Sequence, residues 1–91
     1  MLEKELEAKV VKYAKEKGIL TYKFVSPNNR GVPDRIFLKR GNTLFLEFKV
    51  GKNRVTKLQW HEIIRILDSG HPAFEVSDYE YAKQLLDIYL P

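Results

Sequence analysis

Apolar positions fall at helical spacing over residues 2–17, where Leu2, Leu6, Val10, Val11, Tyr13 and Ala14 share one arc. Gly18 follows as a natural residue just past a helix C-terminus. Residues 19–25 are instead β-branched and aromatic, and Ser26-Pro27-Asn28-Asn29 stops them with turn-forming residues, which predicts a first strand. Residues 33–39 and 43–50 repeat the strand pattern, and Gly41-Asn42 between them predicts a two-residue hairpin turn. After a basic loop at residues 51–55, Thr56 opens a helix to Ser69, with Gln59 placed to complete a capping box and Gly70 and Pro72 to stop it. A short strand at residues 73–76 and a last helix over residues 78–90, capped by Ser77, complete the chain. The hairpin is apolar on both faces, with Ile36, Leu38 and Phe45 on one and Phe37, Leu44, Leu46 and Phe48 on the other. A sheet so patterned needs helices on both sides. The expectation is an α/β fold, a three-layer α/β/α domain in the order α-β-β-β-α-β-α.

The predicted turn converts spacing into geometry. A loop at Gly41-Asn42 pairs Arg40 with Thr43, sets Asp34 opposite Lys49 and sets Ile36 opposite Glu47. Asp34 and Glu47 then lie on a diagonal of one sheet face, roughly 7–8 Å apart at their backbones. One divalent cation can bridge them, and Mg²⁺ commonly takes one or two protein carboxylates with waters and substrate phosphate. Lys49 projects from the same face, where its ammonium can orient an attacking water or offset charge building on a phosphate. A Glu-x-Lys pair is usually a solvated stripe. Here it sits among Leu44, Phe45, Leu46 and Phe48, where an unpaired charge costs several kcal/mol.

At 91 residues the chain has the size of one compact domain, and residues 1–91 read as one. The absence of cysteine excludes disulfide staples, zinc-thiolate sites and cysteine nucleophiles. No apolar run approaches the roughly 20 residues of a spanning helix, and the charged first seventeen residues are unlike a secretory signal. No membrane partner is expected, and the location expected is cytoplasmic. The net charge of +4 is unevenly spread: residues 1–19 carry +1, residues 20–60 carry +7 and residues 61–91 carry −4. A basic middle third that also holds the carboxylates suggests a polyanion, nucleic acid, held over them. Lys23, Arg30, Arg35, Lys52, Arg54 and Lys57 flank the site as candidate phosphate contacts, which supply affinity without sequence information. His61 and His71 stand apart from each other and from the acids and read as structural or surface residues.

On a helical wheel Glu7 falls between Ala14 and Val11 on the inward arc of the first helix, whereas Glu3 is accounted for by its first-turn position at the helix dipole. Gln59 lies in line with Ile63 and Ile66, facing the sheet, so it can line the site while capping its helix.

Gly31-Val32-Pro33-Asp34, Glu47-Phe48-Lys49, Gln59 and the preceding Tyr22-Lys23-Phe24-Val25-Ser26-Pro27 together resemble the VRR-NUC family, the virus-type replication and repair branch of the PD-(D/E)XK nuclease superfamily. The resemblance runs from the first helix to Gly70. It implies a restriction-endonuclease-like core with a mixed central sheet, and metal-dependent hydrolysis of DNA phosphodiesters rather than action on a small-molecule substrate. It further implies that Asp34 and Glu47 hold Mg²⁺ or Mn²⁺ with the Phe48 carbonyl, that Lys49 assists and that Gln59 lines the site. Ser26, within the matching segment, joins the candidate DNA contacts. The superfamily's junction resolvases place a helix-one acid about eleven residues before the terminal glycine, which selects Glu7. Stand-alone minimal members, typical of phages and bacteria, act as homodimers on four-way junctions, whereas forms fused to larger proteins act on flaps and crosslinked DNA. The C-terminal helix carries apolar surface in Tyr79, Tyr81, Leu85, Ile88, Tyr89 and Leu90 that such a dimer can use.

Overall fold

Helix α1 (Glu3–Glu16) buries Leu6, Val10 and Ala14 at i, i+4 and i+8, and Gly18, with φ at 74°, turns the chain into strand β1 (Leu20–Lys23). The computed structural model describes residues 1–91, and the remaining elements follow in the expected order: β2 (Arg35–Lys39), β3 (Asn42–Phe48), α2 (Lys57–Asp68), β4 (Ala73–Val76) and α3 (Tyr79–Tyr89). Both predicted capping-box bonds of α2 form, with Gln59 N donating to Thr56 Oγ1 at 3.1 Å and Thr56 N donating to Gln59 Oε1 at 2.9 Å. The cap of α3 is Asp78 and not Ser77. Helical geometry starts only at Tyr79, so the carboxylate of Asp78 is the group that accepts from Tyr81 N, at 2.8 Å.

The sheet runs β1-β2-β3-β4, antiparallel except for the parallel β3–β4 pair, and is therefore mixed. The hairpin register differs from the expected one by two residues. Lys39 pairs with Asn42, so the turn is Arg40-Gly41, with φ of 50° and 83°. Positive φ at both positions is the primed turn that matches strand twist, and Gly41 meets it without strain. Ile36 consequently faces Phe45 rather than Glu47. Because the shift is even, no side chain changes face.

One face of the sheet is closed by α1 and α3. Leu6, Val10 and Ala14 meet Ala82, Leu85, Leu86 and Leu90 over Phe37, Leu44, Leu46 and Phe48, all of them buried. Each buried phenylalanine contributes roughly 1.5–3 kcal/mol to the core. The inward arc of α1 is narrower than the apolar pattern predicts, since Leu2 is 58% exposed where the helix begins. On the other face α2 packs chiefly against β4 and buries Ile63. The β1–β2 half of that face is open, with Leu20 and Tyr22 exposed beside half-buried Ile36 and Leu38.

Candidate active site

Asp34 is fixed just before β2 by the backbone on two sides. Its carbonyl accepts from Phe24 N at 2.9 Å, which prolongs the β1–β2 ladder, and its carboxylate accepts from Phe48 N at 2.9 Å, which ties the hairpin's open ends together. The preceding Gly31 has φ of 85°, and an added Cβ there would lie 2.9 Å from the backbone carbonyl of Leu58, so glycine lets this loop rest on the start of α2. Extending the observed register by one pair sets Asp34 directly opposite Glu47. Lys49 therefore takes the diagonal, the reverse of the expected arrangement, while all three remain on one face.

Glu47 is 3% exposed and held from two directions. Its Oε2 lies 3.4 Å from Lys49 Nζ and accepts from Gln59 Nε2 at 3.2 Å. Gln59 thus both caps α2 and lines the site, because its amide oxygen turns to Thr56 and its nitrogen to Glu47. Oε1 of Glu47 is buried and without a partner. Burial pushes the Glu47 carboxyl up to about 7, assisted by the neighbouring Asp34 charge and opposed by Lys49. Burial likewise raises Asp34, against the lowering effect of the Phe48 hydrogen bond. Two carboxylates in a partly dry site, one with free lone pairs, form a donor set that fits a hard divalent cation. Asp34, Glu47 and the carbonyl of Phe48, the residue after Glu47, are the groups that could hold it. No cluster of three or more His, Cys, Asp or Glu side chains with metal-binding geometry occurs, so a cation here would draw on two carboxylates.

Helix α1 brings two acids to this end of the sheet. Glu7 is engaged by Arg35, whose Nε donates to it at 2.7 Å, and Lys23 stands 3.9 Å away. Arg35 consequently turns toward α1 instead of outward to a ligand. Glu3 forms no ion pair; its carboxylate accepts from Val50 N at 3.4 Å and from Asn53 Nδ2 and so pins the basic loop. The charges of Glu7 and Glu3 push up Asp34 and Glu47 respectively. Arg30, Lys52 and Lys57 are exposed, and Arg54 is exposed with its guanidinium donating to the carbonyls of Gly51 and Asn53. Ser26 Oγ accepts from Asn29 Nδ2 at 3.1 Å within the turn. His61 and His71 are exposed and lie outside the site, with His71 hydrogen-bonded to Thr43.

A polar cleft of about 310 Å³ opens beside the lysine, lined by Lys49, Gly51, Asn53, Arg54, Glu75 and Ser77. Glu75 is the parallel neighbour of Glu47. Neither Glu75 nor Asn53 was marked by local pattern, since a parallel strand partner leaves no turn signature.

The site is thus a strand fork that presents two carboxylates and a lysine from a mixed sheet, with a helix-borne glutamine bracing one carboxylate. No protein-family model matches the chain. A solved structure titled "VRR_NUC domain" superposes with a TM-score of 0.85 at 24% identity, covering 96% of both chains, and a "VRR_NUC domain protein" does so with 0.76 at 21%, covering 98% of this chain and 88% of the other. A protein of Acyrthosiphon pisum secondary endosymbiont phage 1 named "Putative nuclease p44" is 39% identical over 70 residues, which are 76% of this chain and 75% of that one. The chain belongs to the VRR-NUC nuclease family. No helix is long and apolar enough to cross a membrane.

Proposed function

We propose that the protein is a metal-dependent endonuclease that nicks branched DNA, four-way junctions in particular, as a homodimer. The observation that carries the reading is the buried, unpartnered Oε1 of Glu47 opposite Asp34, a pair of carboxylates whose ionisation the fold opposes until a cation joins them. Asp34, Glu47 and the Phe48 carbonyl would hold Mg²⁺ or Mn²⁺. Such an ion, when bound, supplies Lewis acidity toward the phosphodiester and an acidified water.

The chain's own residues do the rest. Gln59 and Lys49 fix the Glu47 carboxylate, and the Lys49 ammonium offers positive charge where the phosphate gathers negative charge as it becomes five-coordinate. Glu7, held by Arg35, adds its negative field at Asp34 and favours a cation between the acids. Arg30, Lys52 and Lys57 are exposed, and Lys23 and Arg54, exposed beside their partners Glu7 and the Gly51 and Asn53 carbonyls, can join them in meeting backbone phosphates, a distribution that suits recognition of DNA shape rather than sequence.

The dimer is favoured by the open half of the sheet. Trp60, Ile64 and Leu67 follow one another along α2 at 46%, 51% and 45% exposure, and Leu20 and Tyr22 are exposed on the open β1–β2 half of the sheet. A second copy laid over this surface would complete the missing part of the third layer. The surface differs from the one expected on α3, because Leu85 and Leu90 of that helix are committed to the core. Tyr81, Ile88 and Tyr89 remain exposed on it, the last with its ring against Phe74.

The test is a panel of four-way junctions, flaps, single strands and plain duplexes with Mg²⁺ and with Mn²⁺, with particle mass measured by light scattering. Paired nicks in the junction and a dimeric mass are expected, with Ile64→Glu giving monomers. Cleavage confined to flaps or single strands would redirect the substrate assignment, and cleavage of nothing would leave a DNA-binding module.

A further inference from the structure

The largest groove on the surface lies far from the carboxylates, at the closed end of the β2–β3 hairpin. It measures about 650 Å³ and contains no acid in its lining, whereas Lys17, Lys39 and Arg40 all contribute to it. None of these three cations is in an ion pair. Lys39 Nζ donates to the Lys17 carbonyl at 3.1 Å, which anchors it at the C-terminal end of α1, and Lys17 Nζ lies 5.5 Å from the centre of the Tyr13 ring. Arg40 is the one non-glycine residue in the protein with positive φ. That position of a primed turn favours Asn or Gly, and Asn42 stands two residues beyond it, so the strained place is held by a long cation. Strain of this kind persists where the side chain has a task.

We infer that Lys17, Lys39 and Arg40 form a second phosphate-binding site, which holds the backbone of a DNA arm where it passes the closed end of the hairpin. The inference rests on the nuclease reading above. From Glu47 back to Asn42 β3 spans about 17 Å, so roughly five base pairs separate a phosphate at Glu47 from one in the groove. Contacts there are to backbone alone, and they add affinity and orientation to an arm without reading its sequence. The leucines of the groove, Leu20 and Leu38, belong to the open sheet face, so the site also borders the surface assigned to the second copy.

Arg40→Asn tests the site without endangering the fold, since it removes the charge and gives the turn its favoured residue. The thermal midpoint should rise. Affinity for a junction with fifteen-base-pair arms should fall about eightfold at 0.1 M salt, and the slope of log K against log salt should shrink by about 0.9, the value of one released counterion. Lys39→Gln should add a second step of the same size, and the loss should appear in KM rather than kcat. A junction whose arms are cut to about four base pairs, shorter than the span of β3, should bind variant and parent alike. Unchanged affinity for the long arms in a stabilised variant overturns the site alone, as does an equal loss on short and long arms. A fall in particle mass also overturns it, because the groove would then be a contact between copies. Failure of the unsubstituted protein to bind any branched DNA overturns the nuclease reading and the site with it.

Discussion

Replacing Glu47 by glutamine removes a buried charge and keeps the shape of the side chain, so its effect on stability follows from the site's electrostatics. The carboxyl is 3% exposed and is pushed from 4.5 up to about 7 by burial and by Asp34. A rise of that size corresponds to about 3 kcal/mol of opposition to the charged form. The folded value lies above the unfolded one, so the group contributes stability that is complete below about pH 4.5 and is lost as pH rises through about 7. Glutamine does not titrate. It can still accept from Gln59 Nε2, and the attraction of Lys49, 3.4 Å away, is already contained in the raised value of the carboxyl. In a chelator, Glu47→Gln should therefore be about 3 kcal/mol more stable than the parent at pH 8, or ~12–24 °C in midpoint for a domain of this size, and equal to it at pH 4. Thermal unfolding followed by circular dichroism at pH 4, 6 and 8 measures both values. The parent should gain stability on adding Mg²⁺ and the variant should not, while cleavage is lost. A variant no more stable at pH 8, or one whose gain is the same at pH 4, would refute the account of Glu47 as a charge held against its own solvation.

Lys49→Ala should lower kcat by roughly 10²–10⁴ and leave Mg²⁺ affinity, read by calorimetry, within a few-fold. Asp34→Ala removes the acceptor of Phe48 N, and it should abolish cleavage while costing about 1–2 kcal/mol in denaturant unfolding. Divalent-metal affinity should fall as pH drops below about 7, approaching tenfold per pH unit for one displaced proton, because metal and proton compete for Glu47; a pH-independent titration would contradict this. Gly31→Ala combines a positive φ with a Cβ 2.9 Å from Leu58 backbone atoms, and should cost about 2–4 kcal/mol and impair cleavage by shifting the loop that carries Asp34; a midpoint within error of the parent would contradict the contact.

The placement of Asp34, Glu47 and Lys49 on one face was legible in the sequence, because side chains alternate along a strand and any even change of register preserves the face. Which residue stands opposite which was not legible. A primed two-residue turn accommodates either Arg40-Gly41 or Gly41-Asn42 around the same glycine, and the choice falls to pairing across the whole sheet, where Phe37 lies against Leu44 and β3 takes β4 as a parallel neighbour. The capping box of α2 was equally local, fixed by Thr56 and Gln59 three residues apart. That Gln59 also reaches Glu47 was decided by docking of the helix onto the sheet. The wheel correctly turned Glu7 toward the protein, yet only the packed structure set Arg35 against it and sent Glu3 to the Asn53 loop. Apolar residues on both faces of the hairpin predicted covering layers, but sequence pattern records that a face avoids water and not what covers it. One α2 helix over β4 leaves the β1–β2 half bare, and that difference separates the closed core from the surface assigned to a second copy.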